Sequence, residues 1–411
     1  MRKVLPIRIA GAPEARARAG ASGLSQLPPL SLYVHLPWCV RKCPYCDFNS
    51  HELRGASTLP EDVEQAYLAA LQADLEASLP LVWGRSVQTV FIGGGTPSLF
   101  APRSIEALLE MVRARLRLAP DAEVTMEANP GTFEAGRFRD FASAGVNRLS
   151  IGVQSFDDAL LAAVGRIHDG EQARRAIDSA ARHFASFNVD LMYALPGQGV
   201  EALERDLAAA LSFAPPHLSY YQLALEPNTL FAKHPPPRLP DDDTAAEMQE
   251  RIEQRTAEAG LVHYEISAYA RPGHRARHNL NYWQFGDYLG IGAGAHGKLS
   301  FHDRIIRQAR FRHPQRYQEQ AMRGEAVEEE RALVPADLPF EFMLNALRLV
   351  DGVPSGMLEE RTGLPVAAVS RTLGEAVARG LLDPDPTVIR ATPLGLQFLN
   401  DLQQLFLEET P

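Results

Sequence analysis

Short apolar segments rich in β-branched residues alternate with longer helical patterns from residue 32 onward, and this alternation constrains the fold more than any other feature. Repeated strand–helix units of this kind indicate an α/β protein with a parallel sheet. Six units predict a partial or open form of the eight-unit barrel, with functional residues on the loops that follow the strands. The predicted strands are residues 32–36, 89–92, 123–127, 148–153, 188–192 and 218–223, and the predicted helices are residues 61–78, 104–116, 133–144, 172–184 and 200–213.

The segments before and after these six units indicate how the chain divides into domains. We expect a loose N-terminal tail at 1–30, the partial barrel at 31–235, an extension of the barrel at 236–332 and a small C-terminal domain at 333–411. The C-terminal pattern has the order of a winged helix, with helices at 340–349, 354–362, 365–379 and 393–407 and a β-like stretch at 387–391. Its recognition-helix region is not basic, which favours a structural lid or a protein-contact module over DNA binding.

Composition and charge exclude several classes of protein. No apolar run approaches the roughly 18 residues of a membrane span, and the net charge of −10 argues against a nucleic-acid partner. The three cysteines lie within eight residues, which indicates a cluster site in a reducing, cytoplasmic compartment rather than a disulfide framework. The basic, acid-poor N-terminus shares the character of an organellar transit peptide, but its prolines interrupt any long amphipathic helix.

The cysteines Cys39, Cys43 and Cys46 form a CxxxCxxC motif directly after the first predicted strand. Structural zinc sites and ordinary [4Fe-4S] centres take four ligands, so three cysteines leave one coordination position open. An open iron could receive the amino and carboxylate groups of S-adenosylmethionine (SAM), placing its sulfonium where an electron from the cluster can cleave it. A zinc site completed by His35 or His51 is the alternative.

Polar groups follow several other predicted strands, where they would surround the same cavity. A glycine-rich loop, Gly93-Gly-Gly-Thr-Pro-Ser98, follows the second strand and would let backbone approach a polar ligand. Taken alone, such a loop is more often a tight turn between a strand and a helix. The polar side chains at the other strand ends are Glu127, Gln154, Arg166 and Asp190, each of which could instead form an ordinary salt bridge or cap.

The cysteine spacing, with Tyr45 just before the third cysteine, resembles the signature of the radical SAM superfamily. The segment Tyr33-Val-His-Leu-Pro37 resembles the coproporphyrinogen-oxidase-like branch. This resemblance implies that the cysteines hold a [4Fe-4S] cluster and that Gly94, Gly95 and Thr96 contact the SAM amino group. It further implies roles for Glu127 and Asp190 at the amino group and ribose, Gln154 at the ribose and Arg166 at the carboxylate, with Tyr33 and Tyr45 also in the SAM site.

Two kinds of protein in this branch must be separated: an oxygen-independent coproporphyrinogen III oxidase, which decarboxylates its substrate oxidatively, and a haem chaperone of the HemW type. The oxidases carry a fourth cysteine two positions after the third, where this chain has Phe48, and this departure favours the chaperones. The segment His278-Asn-Leu-Asn-Tyr282-Trp283 resembles their HNxxYW motif. His278 would then be an axial ligand of haem, with Tyr282 and Trp283 packing on the porphyrin. A polar turn packing two aromatic rings is the alternative.

The chaperone resemblance implies a cytoplasmic protein that binds haem, the cluster and SAM. It also implies delivery of haem to respiratory haem proteins at the membrane surface, with peripheral association of the chaperone there. A stretch of alternating glycines at 290–297 can bring backbone close to a ligand or to the cluster loop, or form a tight turn, and His296 within it is a second candidate for haem contact.

Overall fold

The computed structural model describes residues 23–53, 58–131 and 136–407. Its strands are β1 Leu30–Leu36, β2 Trp38–Cys39, β3 His51–Glu52, β4 Ser86–Gly94, β5 Arg117–Ala128, β6 Arg148–Gln154, β7 Ser186–Tyr193, β8 His217–Gln222, β9 Val262–Glu265, β10 Ala268–Ala270, β11 Asp287–Ile291, β12 His296–Ser300, β13 Ile305–Arg310, β14 Val327–Ala332, β15 Val353–Pro354 and β16 Val388–Ile389. Its α-helices are α1 Glu61–Val82, α2 Pro102–Arg115, α3 Phe138–Ala144, α4 Asp158–Ala163, α5 Gly170–His183, α6 Val200–Ser212, α7 Leu230–Lys233, α8 Asp242–Glu258, α9 Arg277–Trp283, α10 Pro314–Ala321, α11 Leu338–Ala346, α12 Met357–Thr362, α13 Ser370–Ala378, α14 Pro393–Gln397 and α15 Leu399–Gln404.

One mixed sheet of twelve strands organises the described residues, in the order β14-β13-β12-β11-β1-β4-β5-β6-β7-β8-β10-β9. The strands from β11 to β8 in this order all pair in parallel. Antiparallel strands extend both ends, so the sheet stays open. Each of the six predicted strands is present, which confirms the α/β class and the partial barrel.

The two faces of the parallel strands differ in chemistry. On β4, Val90 and Ile92 are fully buried in the main hydrophobic core, while Thr89 lies on the opposite face. Such alternation follows from the period of two along a strand. The apolar face packs against helices such as α1, and the other face, concave in a barrel, carries serine, threonine, asparagine and charged side chains. The interior of the partial barrel is therefore polar.

The sheet continues beyond the six predicted strands. The stretch of alternating glycines at 290–297 covers the end of β11, the turn after it and the start of β12; β11 pairs in parallel with β1 and is followed by the antiparallel strands β12, β13 and β14. A Cβ atom on Gly292 would lie 2.4 Å from the carbonyl oxygen of His35, and one on Gly290 would lie 2.0 Å from that of His296. Glycine is thus required by close packing of backbone against backbone. This contact also brings the stretch against the segment that leads into the cysteines.

The C-terminal residues are mainly helical, with one short antiparallel pair, β15–β16. The predicted helix at 393–407 is in fact two helices, because Phe398 interrupts it, and the helix predicted to begin at residue 354 begins at Met357. The predicted loose tail lies outside the described residues up to residue 22. Of the rest, Leu24 is buried in the C-terminal core together with Phe285, so this end of the predicted tail is packed rather than loose.

None of the described helices is long and apolar enough to cross a lipid bilayer.

Candidate cluster and cofactor site

A cavity of about 520 Å³ opens at the carboxyl ends of the parallel strands and extends into the polar interior of the barrel. Most residues predicted to bind the cluster and SAM line it together: Cys39, Cys43, Tyr45, Cys46, Gly94, Gly95, Thr96, Glu127, Gln154, Arg166 and Asp190. Tyr33 is not among the lining residues. Its hydroxyl group lies 2.9 Å from Nδ1 of His35 instead, and its ring stacks on Phe91, which does line the cavity.

The cysteine loop is held at its base and from the far end of the chain. The short parallel pair β2–β3 joins Trp38 and Cys39 to the residues just after the loop. The side-chain amide of Asn49 donates to the carbonyl oxygens of Ala293 (2.9 Å) and Arg312 (2.8 Å). The loop geometry therefore depends on β11 and on the residues around β13 as well as on its own sequence.

All three thiols are half-buried, and each lies near a polar group. Thr96 donates to Cys39 Sγ at 3.5 Å, and Arg166 Nη1 lies 3.7 Å from Cys43 Sγ. Burial raises the pKa of the Cys39 thiol to about 11. Since the thiolate is the metal-binding form, an iron centre would have to supply the positive charge that stabilises it here.

The geometry distinguishes a cluster from a single zinc ion. Across the described ranges, no group of three or more His, Cys, Asp or Glu side chains is arranged to hold one ion. A cubane cluster binds each cysteine through a different iron, so its ligands need not converge on one point. Both ring nitrogens of His35 are also engaged, Nδ1 with Tyr33 and Nε2 with the carbonyl oxygen of Asn49. The donor set fits a [4Fe-4S] cluster.

The glycine-rich loop offers carbonyl oxygens rather than amide groups to a ligand. Its backbone N–H groups are already used: Gly94 donates to Glu127 Oε2 (3.1 Å), Gly95 to the carbonyl of Leu36 (2.7 Å) and Thr96 to that of Trp38 (2.7 Å). Gly94 also has a φ of 122°, which favours glycine. Hydrogen-bond acceptors in this position suit a donor such as an amino group.

Glu127 and Asp190 are two half-buried acids that line the cavity. Burial, reinforced by the negative charge of Asp190, raises the pKa of Glu127 to about 8. Burial also raises the pKa of Asp190, although its carboxylate accepts hydrogen bonds from Ser150 (2.8 Å) and Asn188 (2.6 Å). A hydrogen-bond donor on a bound ligand would therefore stabilise the ionised form of either carboxyl group.

Gln154 ends β6, and Arg166, which follows α4, reaches the same end of this strand with its side chain. Arg166 Nη2 donates to Gly152 O (2.6 Å) and to Asn129 Oδ1 (2.7 Å), and Asn129 in turn donates to Thr96 (2.9 Å). Gln154 has a φ of 69°, a strained conformation for a residue with a side chain. Sequence reasoning did not single out Asn129. Its signal was available, because it follows β5 only two positions after Glu127.

The HNxxYW segment forms the short helix α9, which lies at the opposite, amino-terminal end of the barrel strands. The ring of His278 lies 5.1 Å from that of Phe91, and its Nδ1 lies 2.8 Å from the hydroxyl oxygen of Thr89 on β4. Thr89 donates its own proton to Ser31 (2.8 Å), so it can only accept from His278. The hydrogen-bond network therefore assigns the proton to Nδ1 and the free lone pair to Nε2.

Burial, helped by the charge of Arg148, lowers the pKa of His278 to about 3, so its imidazole is neutral at physiological pH. A neutral imidazole with a free Nε2 is the form that binds metals. Tyr282 and Trp283 pack away from this ring: Tyr282 lies 5.1 Å from Tyr288, and the guanidinium of Arg348 covers Trp283 at 4.4 Å. None of the three predicted haem residues lines the cavity, although Asn279 does, and His296 is exposed outside it.

Comparison with known proteins identifies the family of this chain. A model of the radical SAM superfamily matches residues 33–210, and a model of the HemN C-terminal domain matches residues 333–398. The chain is 50% identical to the heme chaperone HemW of Escherichia coli (strain K12), over 93% of this chain and 100% of the relative. It is 46% identical to the HemW of Haemophilus influenzae, over 94% and 100% respectively.

A more distant relative and a solved structure extend the comparison. Mouse radical S-adenosyl methionine domain-containing protein 1, mitochondrial, is 37% identical over 96% of this chain and 92% of its own length. The solved structure of E. coli coproporphyrinogen III oxidase (HemN), a radical SAM enzyme, shares the fold with a TM-score of 0.77 at 23% identity, covering 95% of this chain and 96% of that one. The chain therefore belongs to the HemW family of the radical SAM superfamily.

Proposed function

We propose that this protein is a haem chaperone: it binds haem, a [4Fe-4S] cluster and SAM, and it delivers haem to respiratory haem proteins at the membrane surface. The observation that carries the proposal is the 50% identity to a heme chaperone along that relative's entire length.

Cys39, Cys43 and Cys46 would hold the cluster, which when bound supplies one-electron reducing power and an open iron. The chain's own residues would orient SAM against it. Carbonyl oxygens of the Gly94–Thr96 loop and the Glu127 carboxylate would accept from the amino group, and Asp190 and Gln154 would bind the ribose. Arg166, held by Asn129 and Gly152, would bind the carboxylate.

His278 would bind the haem iron through Nε2. The support is the tautomer imposed by Thr89 and the low pKa, which keep the ring neutral, its Nε2 unprotonated and its orientation fixed without any ligand present. The Nε1 atom of Trp283, buried without a hydrogen-bond partner among the described residues, is a further polar group available at this helix. Both features fit the haem-binding role that we assign to the helix.

Oxidative decarboxylation of coproporphyrinogen III is the second candidate, because the cavity brings together the predicted cluster and SAM residues. Against it stands Phe48, which lines this cavity and is 60% exposed where the oxidases carry a fourth cysteine. An exposed phenyl ring cannot replace a thiol as a ligand or as a redox group.

Two measurements on anaerobically reconstituted protein test the proposal. Titration with haem, followed by the Soret band, should show saturable binding, and incubation with coproporphyrinogen III, SAM and a reductant should give no protoporphyrinogen IX. Haem-loaded protein should then transfer haem to membrane vesicles that contain haem-depleted respiratory enzymes. Turnover of coproporphyrinogen III, or failure to bind haem, would overturn the chaperone assignment.

A further inference from the structure

Arg148 is a buried cation on the wall of the cavity, and no group of the described residues pairs with it. It lies at the start of β6, is 3% exposed and lines the cavity. Its Nε is buried without a hydrogen-bond partner, and within the described ranges its guanidinium forms neither a hydrogen bond nor an ion pair. Buried charges in proteins are normally paired, because removal from water is costly. An unpaired guanidinium facing a cavity therefore indicates an anionic ligand.

The polar side chains beside Arg148 are satisfied by one another. Asn188 donates to Ser150 (2.8 Å) and Asp190 (2.6 Å), Ser150 donates to Asp190 (2.8 Å), and His217 lies 2.7 Å from the Asn188 oxygen. Asp190 feels the charge of Arg148 but lies beyond ion-pair distance. This network holds the wall in place without a hydrogen bond from the guanidinium.

A second unpaired donor lies next to Arg148. Thr125 on β5 is its register partner in the parallel sheet, and the buried hydroxyl of Thr125 also lacks a hydrogen-bond partner among the described residues. Among the described residues, the nearby acid Glu123 pairs with neither group; its two oxygens accept the backbone N–H groups of Arg277 and His278 (3.1 Å each). A planar guanidinium beside a hydroxyl matches the two oxygens of a carboxylate.

The place of Arg148 in the barrel indicates which carboxylate it would bind. Gln154 and the cysteine loop lie at the carboxyl end of β6, while Arg148 begins the strand, about 20 Å away for six residues of extended chain. The SAM carboxylate would be held near Arg166 at the carboxyl end. His278 lies at the same end as Arg148 and is within reach of its charge. We propose that Arg148, together with Thr125, binds a propionate group of haem at the deep end of the cavity; this rests on the proposed haem-chaperone function.

Comparison of haem with its dimethyl ester, which lacks both carboxylates, tests the assignment in full-length protein carrying its cluster. We expect the wild type to bind haem at least tenfold more tightly than the ester. Arg148→Gln should weaken haem binding at least tenfold and leave ester binding unchanged, with Arg148→Lys intermediate. SAM affinity, measured by equilibrium dialysis, should not change. Arg304→Gln, at an exposed arginine, is the matched control and should behave as the wild type.

Each other outcome has a distinct meaning. Equal affinity of the wild type for haem and ester, or unchanged haem binding by Arg148→Gln, overturns the propionate site and leaves the chaperone function standing. Loss of SAM binding in Arg148→Gln also overturns the propionate site, because it would show that Arg148 binds the carboxylate of SAM. A wild type that binds neither porphyrin overturns the chaperone function as well. If Arg148→Gln does not fold, Thr125→Val serves instead: it should weaken haem binding about threefold and spare the ester, and unchanged haem binding would overturn the site.

Discussion

The carboxylate of Glu123 accepts the backbone N–H of His278 at 3.1 Å, and that of the preceding Arg277 at the same distance. A negative charge at the first turn of a helix is favourable, because the N–H groups there have no partners within the helix. The backbone of His278 is thus fixed by β5, while its ring is fixed by Thr89 of β4. Two neighbouring strands of the barrel set the position of the proposed haem ligand.

Substitution of His278 should remove haem binding without affecting the iron–sulfur cluster. We expect His278→Ala to abolish haem binding in a Soret titration and to leave the iron and sulfide content unchanged. Thr89→Val should weaken haem binding about 10- to 100-fold, because partners that orient a metal-binding histidine contribute this much. His183→Ala, at an exposed histidine of α5, is the control. Wild-type haem affinity in His278→Ala would show that another residue is the ligand.

The three cysteines should each be necessary for the cluster. Replacement of any one by serine removes a thiolate, and we expect reconstituted protein to lose most of its visible iron–sulfur absorption and bound iron. Ser50→Ala removes a hydroxyl that lies 3.9 Å from Cys46 Sγ and should retain the cluster. A Cys43→Ser variant with full iron content would contradict the assigned ligand set.

SAM affinity should rise with pH. The pKa of Glu127 is raised to about 8, mainly by burial, so the empty site is largely protonated at neutral pH. An ionised carboxylate accepts more strongly from the SAM amino group, and binding must first release the proton. We therefore expect affinity to increase by up to about tenfold per pH unit below pH 8 and to level off above it.

Glu127→Gln is the matched variant for this pH dependence. It keeps the size of the side chain but cannot ionise. SAM affinity, measured by equilibrium dialysis between about pH 6 and about pH 9, should therefore be lower than in the wild type and independent of pH. A Glu127→Gln profile that rises as steeply as the wild type would assign the titration to another group.

The buried ion pair between Asp287 and Lys298 should be important for stability. Their nitrogen and oxygen atoms are 2.9 Å apart, both side chains are almost completely buried, and Arg85 contacts the same carboxylate at 2.8 Å. Asp287→Asn leaves two cations unpaired and should lower the free energy of unfolding by about 3–5 kcal/mol. Asp303→Asn breaks an exposed pair with Arg304 and should cost under about 1 kcal/mol. Urea denaturation compares the two, and equal losses would contradict this difference.

The sequence was sufficient to predict the six barrel strands, because each is a short apolar run followed by a helical pattern. It did not predict β11, because glycines in and just after this strand interrupt the apolar pattern. Gly290 and Gly292 reflect close approach to backbone of β12 and β1, and β1 is far away in the chain, so the cause is invisible to a local reading. The break at Phe398 is a further feature that helical periodicity alone did not indicate.

The residues of the functional site were likewise only partly predictable from the sequence. Glu127 and Asp190, which were predicted at strand ends and lie inside β5 and β7, could be placed in one cavity because these strands are parallel and end at the same edge. Arg148 could not be recognised, since it begins a strand and an arginine there is ordinary in sequence. Its significance depends on which groups surround it, and these come from the four strands β5, β6, β7 and β8. Likewise, the tautomer of His278 depends on Thr89 and Ser31, which precede it by almost 200 residues or more.

The attachment of Asn49 to Ala293 and Arg312 spans 244 and 263 residues of chain. During synthesis at about 5–20 residues per second, roughly 13 to 50 seconds separate the emergence of the cysteines from that of the segments that hold their loop. The cluster loop can reach its final geometry only near the end of translation. Assembly machinery that donates an iron–sulfur cluster would therefore find a stable acceptor only in the nearly complete polypeptide, and truncated chains should leave the ribosome without iron.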